Sequence, residues 1–250
     1  MANIQLSKDI LKISKRVYVE MPIISSNNPT LVLTCSGGVD SIASTHFFIK
    51  KVKDTFFDNV VVFHYNHNLR EQNNLMQSSV EEFCRKFKFE LICSKAESKG
   101  DKSEDCCRKL RFNEMENLFK DSIIVTSHHL NDCVESYLLN CFRGKPEYNP
   151  IPFYTVTNSG NIITHPFLFT KKNDFIQYAE RNKLYPYIVE DETNQITSGS
   201  RRNMIRNKIV PILDQENIGI CSIVKKRMIQ KLSEINQESK NLLVNSPNLV

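Results

Sequence analysis

Six consecutive residues, Ser36-Gly37-Gly38-Val39-Asp40-Ser41, carry the densest chemistry in the chain. Two adjacent glycines let the backbone turn sharply and let a ligand come close. A helix starting there offers free N–H groups and a positive dipole end. Hydroxyls at Ser36 and Ser41 add donors, and together these groups make a cradle for an oxyanion. Asp40 would repel bare phosphate, but it fits if a divalent cation bridges it to the phosphates. A Gly-Gly turn capped by Ser and Asp holds some of the same residues. The whole hexapeptide, set directly after the apolar run Leu31-Val32-Leu33, favours the cradle. Gly-x-x-x-x-Gly-Lys-[Ser/Thr] is absent, so the loop is not that of the common nucleotide hydrolases.

Other reactive types lie further along. Asp132 and Glu135 are three apart at a helix start, so both carboxylates project from one face and can bracket an ammonium group. Acidic residues also simply favour a helix N-terminus. His128-His129, with His64 and His67, lacks the carboxylate–histidine spacing of a zinc enzyme. Hydrogen bonding to a nucleotide suits His64 and His128 better. Arg108 and Arg111 stand one helical turn apart, either as a solvated face or as neutralisers of charge developing at a phosphate. Arg202 and Arg206 share a helix face near Arg201 and Lys208, which suits RNA phosphates or a leaving pyrophosphate.

Positioning these residues requires a particular scaffold. Largely apolar runs at 30–34, 60–64, 90–93 and 123–126 read as buried strands. Helical patterns follow each, to about Lys53, over 79–88, over 103–120 and over 130–143. On the last of these, Val134, Leu138, Cys141 and Phe142 form the apolar face. Continuous apolar strands separated by helices predict an α/β, doubly wound parallel sheet, with ligands at the carboxyl ends of its strands. Beyond Gly144 come a proline-containing loop, two short strands flanking Asn158-Ser159-Gly160-Asn161, and helices near 172–183, 201–215 and 222–243. Residues 1–216 are expected to form the main domain and 217–250 a helical C-terminal extension.

Composition excludes several classes. Of 250 residues, 33 are Lys or Arg and 28 are Asp or Glu, a net charge of +5 that allows a polyanionic partner without demanding one. No apolar run is long enough to cross a membrane. The N-terminal stretch has no secretory apolar region, and Ile4, Leu11 and Ile13 among Lys12, Lys15 and Arg16 read as an amphipathic helix. The eight cysteines include no Cys-x-x-Cys pair, so reduced thiols are expected rather than disulfides or a zinc ribbon. A cytoplasmic location follows, with an organelle of bacterial origin also compatible.

The hexapeptide resembles the PP-loop of N-type ATP pyrophosphatases. Four further blocks resemble the tRNA(Ile)-lysidine synthases. These are Phe63-His64-Tyr65-Asn66-His67-Asn68-Leu69-Arg70, Arg108-Lys109-Leu110-Arg111-Phe112, and Thr126 to Glu135 running on to Arg143-Gly144. The last is Glu190-Asp191-Glu192-Thr193-Asn194 followed by Arg202-Asn203-Met204-Ile205-Arg206. They keep the family order and cover residues 30 to about 212. Asn68 stands where that family has Gly, and Asn tolerates the left-handed backbone such a turn needs.

The resemblance implies a Rossmann-like PP-loop ATPase fold and a ligase. ATP would adenylate O2 of the wobble cytidine of a CAU-anticodon tRNA(Ile), and L-lysine would then displace AMP. It implies ATP contacts from Ser36, Gly37, Gly38, Val39, Asp40, Ser41, His64 and His128, with Asp40 on Mg2+. It implies catalytic roles for Asp40, Arg108, Asp132 and Arg202, and lysine binding by Asp132 and Glu135. Contacts to tRNA are expected from Arg143, Arg206, Lys225, Lys226 and Arg227. A homodimer is compatible with this reading. Three departures stand out: Asn131 for the first Asp of an acidic pair, His165 for an Arg, and only a helical tail after the last block. A PP-loop tRNA thiolase is the nearest rival, although Cys106-Cys107 lacks the spacing usual for sulfur carriage. A non-catalytic RNA-binding relative is the other.

Overall fold

The computed structural model describes residues 29–51, 59–97, 103–146, 151–190 and 200–245. The expected N-terminal helix and residues 191–194 of the acidic block lie outside them. Strands β1 (Leu31–Thr34), β2 (Val60–Asn66), β3 (Glu90–Lys95), β4 (Ile123–Val125), β5 (Tyr154–Val156) and β6 (Ile162–Thr164) form one sheet in the order β3-β2-β1-β4-β6-β5. All pairings are parallel except β5 with β6. That hairpin turns at the Asn158–Asn161 segment, where Gly160 has φ +78°.

The helices are α1 (Val39–Lys51), α2 (Glu71–Phe87), α3 (Glu104–Leu118), α4 (Leu130–Phe142) and α5 (Lys172–Arg181). A short α6 (Arg201–Met204) runs through a π-helical turn (Ile205–Ile209) into α7 (Val210–Gln215), and α8 spans Ile220–Asn245. Alternation along β1 explains the layering. Leu31 and Leu33 join the cluster under α1, α2 and α5, containing Phe47, Phe83 and Phe175. Val32 faces the other side with Phe63, Met115 and Phe119. Each face therefore has its own helical cover, as a parallel sheet requires.

Three sequence expectations need correction. Helix α2 begins at Glu71 rather than near 79, because Met76, Val80, Phe83 and Cys84 continue one buried stripe toward its start. Phe142, placed on the buried face of α4, is 60% exposed; Leu130, Cys133, Val134 and Glu135 are the buried residues. The helix expected over 201–215 is broken by the π turn. Pro211 has no N–H and its ring clashes with a regular preceding turn, so the wider turn lets the chain pass.

Helix α8 places Ile220, Val224, Met228 and Leu232 at four-residue spacing, all buried in a cluster with Leu130, Val134 and Phe169. Full burial of each such side chain stabilises by about 1.5–3 kcal/mol. The first half of the C-terminal extension is thereby docked on α4.

Candidate active site

Strand order reverses between β1 and β4, and the loops after these two neighbours build the site. After β1, Gly37 takes φ +94°, and a Cβ there would lie 3.3 Å from the Met76 carbonyl oxygen. Only glycine satisfies both constraints. Ser41 Oγ ties the loop together. It accepts from the N–H groups of Ser36 (3.1 Å) and Gly37 (3.2 Å) and donates to the Gly38 carbonyl (2.9 Å). The first bond of α1 runs from Ile42 N–H to Gly38 O, so the N–H groups just before it have no acceptor within the helix. Val189 N–H donates to Gly37 O at 3.0 Å, and Gln72 Nε2 donates to Glu190 O at 2.7 Å. The start of the acidic block thus lies against the loop.

Asp40 fits a cation bridge. Its Oδ1 is buried without a hydrogen-bond partner, while Oδ2 lies 3.5 Å from His129 Nε2. A buried carboxylate oxygen left unpaired is costly unless something cationic meets it. Asp40 Oδ1 would hold Mg2+, with the N–H groups at the start of α1 and Ser36 Oγ holding phosphate oxygens.

His129 caps α4 and sits between two carboxylates. Asp132 Oδ2 accepts the His129 N–H at 2.9 Å, and His129 Nδ1 lies 3.3 Å from the same oxygen. Burial alone would lower the His129 pKa, but Asp132 and Asp40 outweigh it and raise the value above the ordinary one. Burial opposes ionisation of Asp132 too, yet His129, His128, the His129 N–H and Arg202 hold its pKa below the usual carboxylate range. Asp40, His129 and Asp132 form a carboxylate–imidazole–carboxylate chain across the switch point.

Glu135 departs from expectation. It is 3% exposed, with Oε1 bonded to Arg206 Nε (2.6 Å) and Oε2 to Arg202 Nε (2.9 Å) and an Arg206 terminal nitrogen (2.9 Å). Its oxygens are held by guanidinium groups, so Arg202 and Arg206 stand where the sequence reading expected a substrate ammonium. The same contacts hold Arg206, expected at tRNA phosphates, against Glu135 with its side chain 27% exposed. Asp132 Oδ1 lies 4.0 Å from Arg202 and 3.7 Å from Arg206, and remains the more open carboxylate oxygen.

Beside this cluster opens a cavity of about 560 Å³, lined by Arg108, Phe112, His128, Ser136, Ile163, His165 and Arg202 among others. Arg108 places its guanidinium 5.0 Å from the Phe112 ring centre, and Arg111 lies 5.8 Å from the same ring. Thr126 Oγ1 bonds His128 Nδ1 at 2.9 Å and also reaches His165 Nδ1. His165 stands where the resembled family has Arg, and sequence reasoning read it only as a lost charge. Its signal was its place one residue after β6, at the same sheet edge.

His64 donates from Nδ1 to the Cys35 carbonyl at 2.8 Å, so its buried Nε2, which has no partner, is the lone-pair nitrogen. Burial lowers its pKa and keeps the ring neutral. Asn68 adopts φ +52°, the left-handed backbone expected of it. Asn131 Oδ1 accepts the Lys172 N–H at 3.0 Å, satisfying the start of α5. Arg143 is exposed at the end of α4. Among the tail cations, Lys226 is exposed, Lys225 is half-buried, and Arg227 stacks 5.3 Å from the Tyr137 ring centre.

A glycine loop at a helix start, an unpaired carboxylate oxygen and a cavity meet at the carboxyl ends of the strands. The PP-loop domain family matches residues 6–213, and the chain belongs to it. Among curated relatives, it is 28% identical over 228 residues to a tRNA(Ile)-lysidine synthase of Francisella philomiragia, covering 88% of this chain and 54% of that protein. It is 26% identical over 240 residues to a tRNA(Ile)-lysidine synthase of Staphylococcus aureus, covering 86% and 55%. The chain spans about half the length of the curated relatives it matches. Among solved structures, a U34-tRNA thiolase of Methanococcus maripaludis aligns with TM-score 0.64 at 12% identity, covering 85% of this chain and 73% of that one, a likeness of fold.

Proposed function

We propose that this chain carries the catalytic domain of a tRNA(Ile)-lysidine synthase. In the reaction, O2 of the wobble cytidine attacks the α-phosphorus of ATP and pyrophosphate leaves. The lysine ε-amine then attacks C2 and AMP leaves. The observation that carries the reading is the joining of two sites through adjacent residues. His129 belongs to the Asp40–Asp132 chain, and His128 lines the cavity. The names of the two curated relatives support the substrate class.

Each group has work of its own. The N–H groups at the start of α1, with the Ser36 hydroxyl, would bind the phosphates. Asp40 Oδ1 would hold Mg2+, which would neutralise phosphate charge when bound. Arg108 and Arg202 face the cavity and stabilise negative charge that grows during adenylation. Asp132 attracts the lysine ammonium through Oδ1. Glu135 acts through Arg202 and Arg206, fixing where their charges stand. Arg143, Lys225, Lys226 and Arg227 offer positive charge to tRNA, with Arg227 held by Tyr137. A cytoplasmic enzyme is the natural setting, and a homodimer is compatible with it.

The test uses purified protein, Mg-ATP, labelled lysine and a CAU-anticodon transcript. Lysine should enter the RNA in step with pyrophosphate release, and a transcript with uridine at the wobble position should not be labelled. Pyrophosphate release that depends on a sulfur donor instead would replace lysidine formation with thiolation. No pyrophosphate release with any transcript would leave an RNA-binding relative.

A further inference from the structure

The cavity wall carries a three-residue hydrogen-bond device. Thr126 Oγ1 reaches the Nδ1 atoms of both His128 and His165, and those nitrogens lie 3.3 Å apart. The rings meet edge to face with centres 5.0 Å apart. Thr126 is 8% and His165 6% exposed, so water does not compete freely for the hydroxyl.

Proton counting fixes the tautomers. A hydroxyl has one hydrogen to donate and can accept, and a neutral imidazole has one N–H. Burial holds His128 near 4 and His165 near 3, so both rings are neutral around pH 7. If both rings donated to Thr126, its own hydrogen would face neither of them. If neither donated, two lone pairs would face each other across 3.3 Å with one hydrogen between three acceptors. Only opposite tautomers satisfy all three groups: one ring donates to Thr126 and the other accepts from it. The remaining ring nitrogens, both Nε2, then differ. One is an acceptor and the other an N–H donor, and both rings line the cavity.

We infer that His128 and His165, set in opposite tautomers by Thr126, read the N3/N4 edge of the target cytosine as a paired donor and acceptor. The inference rests on the reading above that a cytidine enters this cavity. Cytosine offers an N3 acceptor beside an N4 amino donor, with O2 adjacent and left free to react. The resembled family's arginine at position 165 would supply donors only. In the proposed arrangement His165 donates its Nδ1–H to Thr126, and its Nε2 is the acceptor that the amino group needs. Thr126 is a positioning residue, acting through the two rings.

A cycle of enzyme and base changes tests the contact. Wild type, His165→Phe, Thr126→Val and Thr126→Ser are each assayed on CAU transcripts carrying cytidine or pyrimidin-2-one, which lacks only the amino group, at the wobble position. Wild-type kcat/KM for pyrophosphate release should fall about ten- to a hundredfold on losing the amino group. His165→Phe and Thr126→Val should lose a similar factor on cytidine and almost nothing further on pyrimidin-2-one. Thr126→Ser, which keeps the hydroxyl, should stay close to wild type on both. Losses that multiply would overturn the inference, because the base and the histidine would then act independently. The same cycle is read as Kd for the anticodon stem-loop, which needs no turnover. An inactive wild type therefore overturns the functional reading, whereas independent Kd losses overturn this one.

Discussion

Arg206 grips Glu135 through two nearly parallel bonds, Nε to Oε1 at 2.6 Å and a terminal nitrogen to Oε2 at 2.9 Å. Arg202 shares the second oxygen at 2.9 Å. Breaking a buried pair by removing one partner costs about 3–5 kcal/mol, because the surviving charge is stranded. Glu135→Gln is therefore expected to lower unfolding stability by about 3 kcal/mol and to impair adenylation and lysine transfer together. Asp132→Asn keeps a carbonyl oxygen for the His129 N–H and should stay folded while raising the lysine KM. Urea unfolding, with adenylated RNA and lysine incorporation followed separately, distinguishes the two. A Glu135→Gln protein with wild-type stability and only a raised lysine KM would return Glu135 to the ammonium.

Asp40 stands in the first turn of α1, outside the apolar clusters, so Asp40→Asn should fold normally. It removes the unpaired oxygen's charge, and adenylation should fall at least a hundredfold, about 3 kcal/mol of transition-state stabilisation. The same variant withdraws one of the carboxylates that raise the His129 pKa. An NMR titration should find His129 losing its proton at lower pH than in the wild type. An unmoved His129 titration would show that the two side chains do not interact in solution.

Acid should weaken the fold through buried neutral histidines. His46 is 1% exposed, with Nδ1 bonded to the Tyr178 hydroxyl at 2.9 Å. Burial first and Lys50 second lower its pKa from 6.5 to about 4. The unfolded chain takes up the proton first, so stability is lost as pH falls from about 6.5 toward 4, by roughly 3 kcal/mol for this ring. His129 works in the opposite sense: its raised pKa contributes stability that fades as pH rises through the folded value. Urea midpoints between pH 7 and 4.5 should drop less steeply in His46→Phe than in the wild type. Equal slopes would assign the acid loss to other groups.

Sheet, phosphate loop and the sequence of helices were legible because each rests on a local signal. Apolar runs mark strands buried on both faces, and a Gly-Gly pair after one of them marks the turn into a helix. Asn68 could be read in the same way, since its backbone demand is local. Glu135 could not. Spacing put it beside Asp132, but its partners arrive from 67 and 71 residues away. Those partners converge where the helix is locally widened ahead of Pro211, and helical periodicity assumes an unbroken turn there. His165 was hidden for a related reason, because its meaning lies in Thr126, 39 residues earlier and just past the end of a neighbouring strand.

The bond from Val189 N–H to Gly37 O joins the phosphate loop to the segment that leads into the acidic block, and both of its atoms are main-chain. Changing the side chain of Val189 leaves that bond in place, and only proline removes its donor. Alanine scanning would pass over this tether without a signal, and sequence drift at the position would be silent for the same reason. Its loss would show instead as faster amide exchange at residue 189, with every side chain of the loop still in place.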